Sequence, residues 1–273
     1  MIAHSRITFH VSPNTMHDKD RLLAHYYDLE YRDFTEDLDF YVQYALHLDP
    51  TRELPLLELG CGTGRVAFAL AEPGFRVVGV DASEGMLAIC AENAKERGVS
   101  EQLRLVRTDV RDLSSVDGGP FNMAVCALNT FAYLTSTEDQ LKMLRAIHPL
   151  LVQHGILIID LTPPVAHLLP PQDGELVHQG SFDAGEEGTL HKLVSGNAHP
   201  STQTHSVTIF YDLEGTNGTL SRMTQSLTLR WTGRYEMELL LQAAGYRVEK
   251  VYGDYELGEY GDGSERMIFV ART

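Results

Sequence analysis

The chain has 273 residues, 43% of them hydrophobic, enough for one large unit with a sizeable core or one unit carrying an insert. Its 22 basic and 38 acidic residues leave a net charge of −16, which argues against nucleic acid as a partner, because such a partner needs an electropositive footprint. No apolar run reaches the length of a membrane span, so no membrane role is expected. Residues 1–20 lack an apolar signal core, and Cys61, Cys90 and Cys126 are odd in number. Together these read as a cytoplasmic protein with reduced thiols. Neither a CxxC nor an HExxH pattern occurs, and no metal site is expected.

Residues 1–16 read as irregular. A helix is expected over 17–31 with Leu22, Tyr26 and Leu29 on one face, and a second over 36–48 with Thr35 as N-cap and Leu38, Tyr41, Ala45 and Leu48 as its stripe. Leu54, Leu56, Leu57 and Leu59 form an apolar run suited to a strand buried on both faces. Gly60, Gly62 and Gly64 then allow a sharp turn and close approach to a ligand, before a helix over 64–72. A second strand at 76–81 delivers Asp81 about 20 residues after the first glycine, where a βαβ unit presents a carboxylate to a ribose.

The alternation continues. A helix over 83–97 has Ser83 as N-cap and Gly98 as stop, strands fall at 103–108, 121–128 and 155–161, and a helix spans 137–151 with Leu141, Leu144, Ile147 and Leu151 on its apolar face. This is the pattern of a doubly wound α/β sheet, whose ligands sit at the carboxyl ends of the strands, where Gly60, Asp81, Asp109 and Asn129 fall. Pro163-Pro164 and Pro170-Pro171 interrupt it. Strands at 174–182, 189–195, 202–213 and 220–231 then read as an antiparallel β insert, after which a helix at 235–244 and strands at 246–252 and 266–271 resume the core. The expected division is a single domain over 1–273, with N-terminal cap helices at 17–48, a core at 54–162 and 232–273, and a β-rich insert at 163–231.

A dinucleotide fingerprint would need its third glycine where Arg65 stands; here the spacing is G-x-G-x-G. Glu58, two residues ahead of the first glycine, faces a ligand ammonium better than a pyrophosphate. S-adenosylmethionine has an ammonium, a ribose and no phosphate. A nicotinamide-dependent oxidoreductase and a non-catalytic cofactor-binding protein are the alternatives.

On Glu58-Leu59-Gly60-Cys61-Gly62-Thr63-Gly64, Val80-Asp81-Ala82-Ser83, Met86-Leu87, Thr108-Asp109-Val110 and the stretch from Phe121 to Tyr133, the chain resembles a class I S-adenosylmethionine-dependent methyltransferase. It is similar to bacterial small-molecule members with a β-rich insert after the fifth strand, including sugar N-methyltransferases. The resemblance implies a Rossmann-like seven-stranded sheet closed by a C-terminal antiparallel hairpin. It implies that Gly60, Cys61, Gly62 and Gly64 wrap the methionine and ribose, that Glu58 sits near the ammonium, and that Asp81 accepts from the ribose hydroxyls. Ala82 and Met86 would flank the adenine, Asp109 would meet its amino group and Val110 its ring. Leu128 and Asn129 would lie beside the methionine and the reacting methyl. Tyr26, Tyr27 and Tyr31 would reach in from the cap helix. The residues themselves leave alternatives: Met86 also fits a core stripe with Leu87, Cys90, Ala91 and Ala94, Asp109 also fits a turn cap, and each tyrosine also fits core packing.

Methyl transfer from a sulfonium is an in-line displacement that needs chiefly alignment and exclusion of water. The expected acceptor is a small molecule methylated at O, N or C. Tyr133, His178 and His191 are the catalytic candidates, with His199 and His205 also in the insert, which is expected to form a lid and to offer a surface for a homo-oligomer. Asp160 fits either a substrate amine or a turn. With Asn129 it lacks a third acid for a metal. Trp231 reads as packing and Arg230 as a solvated charge.

Overall fold

The computed structural model describes residues 16–164 and 174–273. The N-terminal stretch expected to be irregular and Pro170-Pro171 lie outside the described residues. In chain order the structure runs α1 (Met16–Tyr31), α2 (Leu38–Leu48), β1 (Leu56–Leu59), α3 (Arg65–Ala71), β2 (Val77–Asp81), α4 (Glu84–Arg97), β3 (Leu103–Arg107), β4 (Phe121–Cys126), α5 (Thr137–Ile147), β5 (Leu151–Leu161), β6 (Leu176–Asp183), β7 (Thr189–His199), β8 (Thr204–Glu214), β9 (Leu220–Arg230), α6 (Arg234–Ala243), β10 (Arg247–Tyr252) and β11 (Met267–Arg272).

β1 is buried along its whole length because both of its faces are covered. Leu57 and Leu59 pack with Met143 and Leu144 of α5 and Met237 and Leu241 of α6. Leu56 packs on the opposite face with Tyr41 of α2, Val66 and Leu70 of α3, and Cys90 of α4. Helices on both faces are what a mostly parallel sheet requires. The seven strands lie in the order β10-β11-β5-β4-β1-β2-β3. β11 runs antiparallel to both of its neighbours, β10 and β5. This is the Rossmann-like sheet with its terminal hairpin.

Three boundaries differ from the sequence reading, each for a local reason. α2 begins at Leu38, with Asp37 rather than Thr35 in the cap position; the Asp37 side chain caps no N–H because Arg65 takes it. The helix before β5 ends at Ile147 and tightens into a 3-10 turn at His148–Leu150, where Pro149 offers no N–H. β4 stops at Cys126 because Leu128 and Asn129 take left-handed φ values of 42° and 64°, which bend the chain out of the sheet.

The insert is a separate antiparallel sheet in the order β6-β7-β8-β9. Its inner face sets Phe182, Leu190, Ile209, Tyr211, Leu213 and Met223 against Leu22, Leu23, Tyr26 and Leu29 of α1. The opposite side of α1 lies on α4 so closely that a Cβ on Gly85 would come within 2.7 Å of the Asp20 backbone. α1 is thus held between the two sheets' territories. Among the described residues no helix is long and apolar enough to cross a membrane.

Candidate active site

β1 runs directly into the glycine turn. Gly60, Gly62 and Gly64 all have positive φ, 69°, 55° and 100°, which other residues adopt only with strain. Gly60 N and Cys61 N donate to Val80 O at 2.8 and 2.9 Å, which fastens the turn to the end of β2. There the Asp81 carboxylate accepts from Gly62 N and Ser83 N, both at 2.9 Å. Burial, joined by the Asp20 charge, raises the Asp81 carboxyl above its ordinary range, against the pull of those N–H donors. Asp20 of α1 closes the start of α4, accepting from Ser83 Oγ at 2.8 Å and Gly85 N at 2.6 Å.

Glu58 is the most unusual group here. It is 3% exposed, and its Oε2 has no hydrogen-bond partner among the described residues. Burial pushes its pKa up to about 8, against the opposing charge of Arg65. An orphaned buried carboxyl oxygen is costly, and it suits a ligand that brings a cation. Arg65 itself is forked on Asp37, with Nη2 to Oδ2 at 2.7 Å, donates to Phe34 O at 3.0 Å and lies over the Phe34 ring. It pins the α1–α2 connection over the turn, a role the spacing argument missed because Arg65 entered it only as an absent glycine.

Tyr27 covers the turn: its ring would be 3.4 Å from a Cβ on Gly62, and its ring centroid is 4.6 Å from that of Tyr31. Tyr26 points elsewhere. Its ring faces Tyr211 of the insert at 5.7 Å, and burial raises its hydroxyl to about 12. The helical step of α1 separates the two directions, so Tyr26 is not at the cleft. Tyr133, in a 3-10 turn at Thr130–Tyr133, is 57% exposed, yet desolvation and the charges of Asp81 and Glu30 raise its hydroxyl. Tyr133 therefore stands within electrostatic reach of both the Asp81 and the Glu30 carboxylates. The Glu30 carboxylate takes Lys192 Nζ at 2.6 Å and Tyr211 OH at 2.8 Å.

Other expectations are corrected. Cys61 tucks its thiol beneath the turn, 3.0 Å from where a Gly79 Cβ would lie, so only its backbone can face a ligand. Asn129 Oδ1 accepts from Thr162 N at 2.5 Å, which joins β4 to β5 and turns the side chain away; it is Thr130 that abuts Gly60. Leu128 N donates to Asp160 at 3.3 Å. Asp109 accepts from Arg111 N and Nε, both at 2.8 Å, and from Nη2 at 2.6 Å. Those bonds lower its pKa, and the turn-cap alternative describes it. Val110 packs against the core. Ala82 is exposed and Met86 half-buried; the buried stripe of α4 is Ile89, Cys90 and Ala94. His178 and His191 project from the outer face of the insert. Leu190 and Lys192, which flank His191, take the inner one, and His178 pairs with Leu193 on the outer one, so neither histidine reaches the cleft. Asp160 is a buried ion-pair centre rather than a substrate group. Arg230 is buried, not solvated, and bonds Gln140 and Glu236 at 2.7 and 2.5 Å.

Residues 56–155 match the family model described as a methyltransferase domain. The chain is an S-adenosylmethionine-dependent methyltransferase. It is 29% identical over 215 residues, 79% of this chain and 81% of the relative, to the cypemycin N-terminal methyltransferase of a Streptomyces species. Its fold is shared with the CcbJ methyltransferase of Streptomyces caelestis, at TM-score 0.71 and 24% identity over 87% of this chain and 95% of that one. It is shared also with the sugar N-methyltransferase KedS8 of a Streptoalloteichus species, at TM-score 0.68 and 22% identity over 100% and 98%.

The residues of the methyltransferase fit the cofactor. The glycine turn offers a backbone cradle, Asp81 would hold the ribose, and the unpartnered Glu58 oxygen would meet the ammonium. When bound, the sulfonium supplies an activated methyl group. The protein's share is alignment and dryness: Tyr27 roofs the turn.

Glu58 gives the methyltransferase a measurable proton linkage. Between its ordinary value of 4.5 and its folded value of about 8, the free folded protein holds a proton that the unfolded chain does not. Its contribution to stability therefore falls as pH rises through that window. An arriving ammonium favours the ionised carboxylate, so S-adenosylhomocysteine binding at pH 7 should release about one proton. Calorimetry in two buffers of different ionisation enthalpy reads this number directly. Glu58→Gln should abolish the buffer dependence; a wild-type enthalpy independent of buffer would remove Glu58 from the ammonium.

Proposed function

We propose that the enzyme transfers the methyl group to the nitrogen of a small amine bound beside Tyr133, with the insert acting as its lid. The observation that carries this is the state of the polar groups nearest Tyr133. The Glu30 carboxylate is already taken by Lys192 and Tyr211, and the Tyr27, Tyr31 and Tyr211 hydroxyls are held above their ordinary pKa, chiefly by burial. Such surroundings favour an acceptor that is nucleophilic without losing a proton to the protein, as a neutral amine is. The name of one structure above, the sugar N-methyltransferase KedS8, points the same way.

The test is a panel of small amines, alcohols and carbon acids with methyl-labelled cofactor. Amine turnover should rise with pH through the pKa of the amine itself, and Tyr133→Ala should raise KM for the acceptor more than it changes affinity for S-adenosylhomocysteine. Turnover confined to alcohols or carbon acids would overturn the reading.

A further inference from the structure

The outer face of the insert carries a polar cluster remote from the cofactor cleft. Two imidazoles converge there on one hydroxyl. His178 Nε2 lies 3.0 Å from Ser181 Oγ, and His191 Nδ1 lies 2.8 Å from the same oxygen. The two ring centroids are 6.1 Å apart. His178 and Ser181 are three positions apart, and a regular strand would set them on opposite faces. The register of β6 shifts between His178 and Gly180, and that bulge turns both onto the outer face. Bulges often serve to re-aim a side chain in this way.

The far nitrogen of His191 is also engaged: Nε2 lies 3.3 Å from Glu214 Oε2. A carboxylate behind an imidazole whose other nitrogen faces a shared point is the arrangement that orients metal-ligating histidines and raises their basicity. The spacing suits it. Donors about 2.1 Å from a tetrahedral zinc ion stand roughly 3.4 Å from one another, and the two nitrogen–oxygen pairs here, at 3.0 and 2.8 Å, need to open only slightly.

We propose that His178 Nε2, His191 Nδ1 and Ser181 Oγ form a surface site for a divalent transition metal of the imidazole-preferring kind, zinc, nickel or copper, with water completing the shell and Glu214 supporting His191. Among the described residues no group of three His, Cys, Asp or Glu side chains is placed to hold a metal. A site with two imidazoles and a hydroxyl is therefore open and exchangeable, unlike a closed structural zinc centre. The metal clips β6 to β7 across the bulge.

The experiment is a calorimetric titration of the full chain, free of any affinity tag, with zinc chloride at neutral pH. Wild type and His199→Ala, a control on the same sheet, should show one saturable site. His178→Ala and His191→Ala should each lose it, and Glu214→Gln should weaken it about tenfold. All variants should bind S-adenosylhomocysteine as wild type does, because the substituted side chains leave the inner face intact. Nitrogen hyperfine structure in the copper(II) spectrum should report two imidazoles in wild type and fewer in each variant. Absence of a saturable site in wild type, or its survival in the His178→Ala/His191→Ala double variant, would overturn the proposal.

Discussion

Asp81→Ala should lose cofactor affinity by about a hundredfold or more while remaining folded. The carboxylate is positioned, not merely present: Gly62 N and Ser83 N, each at 2.9 Å, fix its two oxygens at the lip of the turn. Two further charge-assisted hydrogen bonds, to the ribose hydroxyls, are worth about 1.5–3 kcal/mol each, and every 1.4 kcal/mol is about tenfold in affinity. Half-burial of the side chain keeps the damage to stability modest, since water can reach the freed N–H groups. Titration with S-adenosylhomocysteine, beside a thermal melt, separates the two effects. Asp81→Asn, which keeps one acceptor oxygen, should fall between. A folded Asp81→Ala protein with wild-type affinity would mean that the ribose is held by other groups.

Asp160→Ala should have the largest effect on stability, about 3–5 kcal/mol. The side chain is fully buried and accepts from Tyr41 OH at 3.1 Å, Tyr255 OH at 2.9 Å, Leu128 N at 3.3 Å and Arg266 Nε at 2.8 Å. Removing it strands a guanidinium with 16% of its side chain exposed, and a charge left unpaired in that position is more damaging than the loss of the pair as a whole. Replacing both partners by apolar residues should therefore recover part of the loss, a non-additivity that a double-mutant cycle under denaturant would quantify. A single variant within 1 kcal/mol of wild type would show that water enters and solvates Arg266. Because Leu128 hangs from the same carboxylate, the variant should also loosen the left-handed turn that carries Thr130 toward Gly60.

What the sequence discloses about this protein is what local constraints dictate. A strand buried on both faces, glycines at three positive-φ positions and an acid at the end of the next strand are each set by residues close in the chain. The structure brings Gly60, Gly62 and Asp81 together as their spacing implied. The insert's strands were readable from their punctuation for the same reason. Long-range partnerships were not. Asp160 gathers donors from positions 41, 255 and 266, and nothing near it in the chain announces an ion-pair centre. Arg65 and Asp37 meet across the α2–α3 region, and Glu30 looks like an ordinary helix-surface acid until Lys192 and Tyr211 descend on it. The faces of His178 and His191 depend on register and on the bulge before Gly180, which period-2 reasoning cannot supply. The burial direction of Tyr26 turned on a third layer packing against α1, and composition does not reveal which side of a helix a distant sheet will cover.

The position of α1 between α4 and the inner face of the insert bears on how this scaffold can be re-engineered. A helix that answers to two partners has no free side on which sequence can drift. Asp20 and Tyr27 are committed to the cleft below, while Tyr26, Leu29 and Glu30 are committed to the sheet above. Transplanting β6–β9 from a relative therefore amounts to transplanting half a helix as well. Chimeras cut cleanly at the ends of the insert would place a foreign inner face on the native Tyr26, Leu29 and Glu30. The natural crossover unit joins the insert to the upper face of α1, two segments more than a hundred residues apart in the chain.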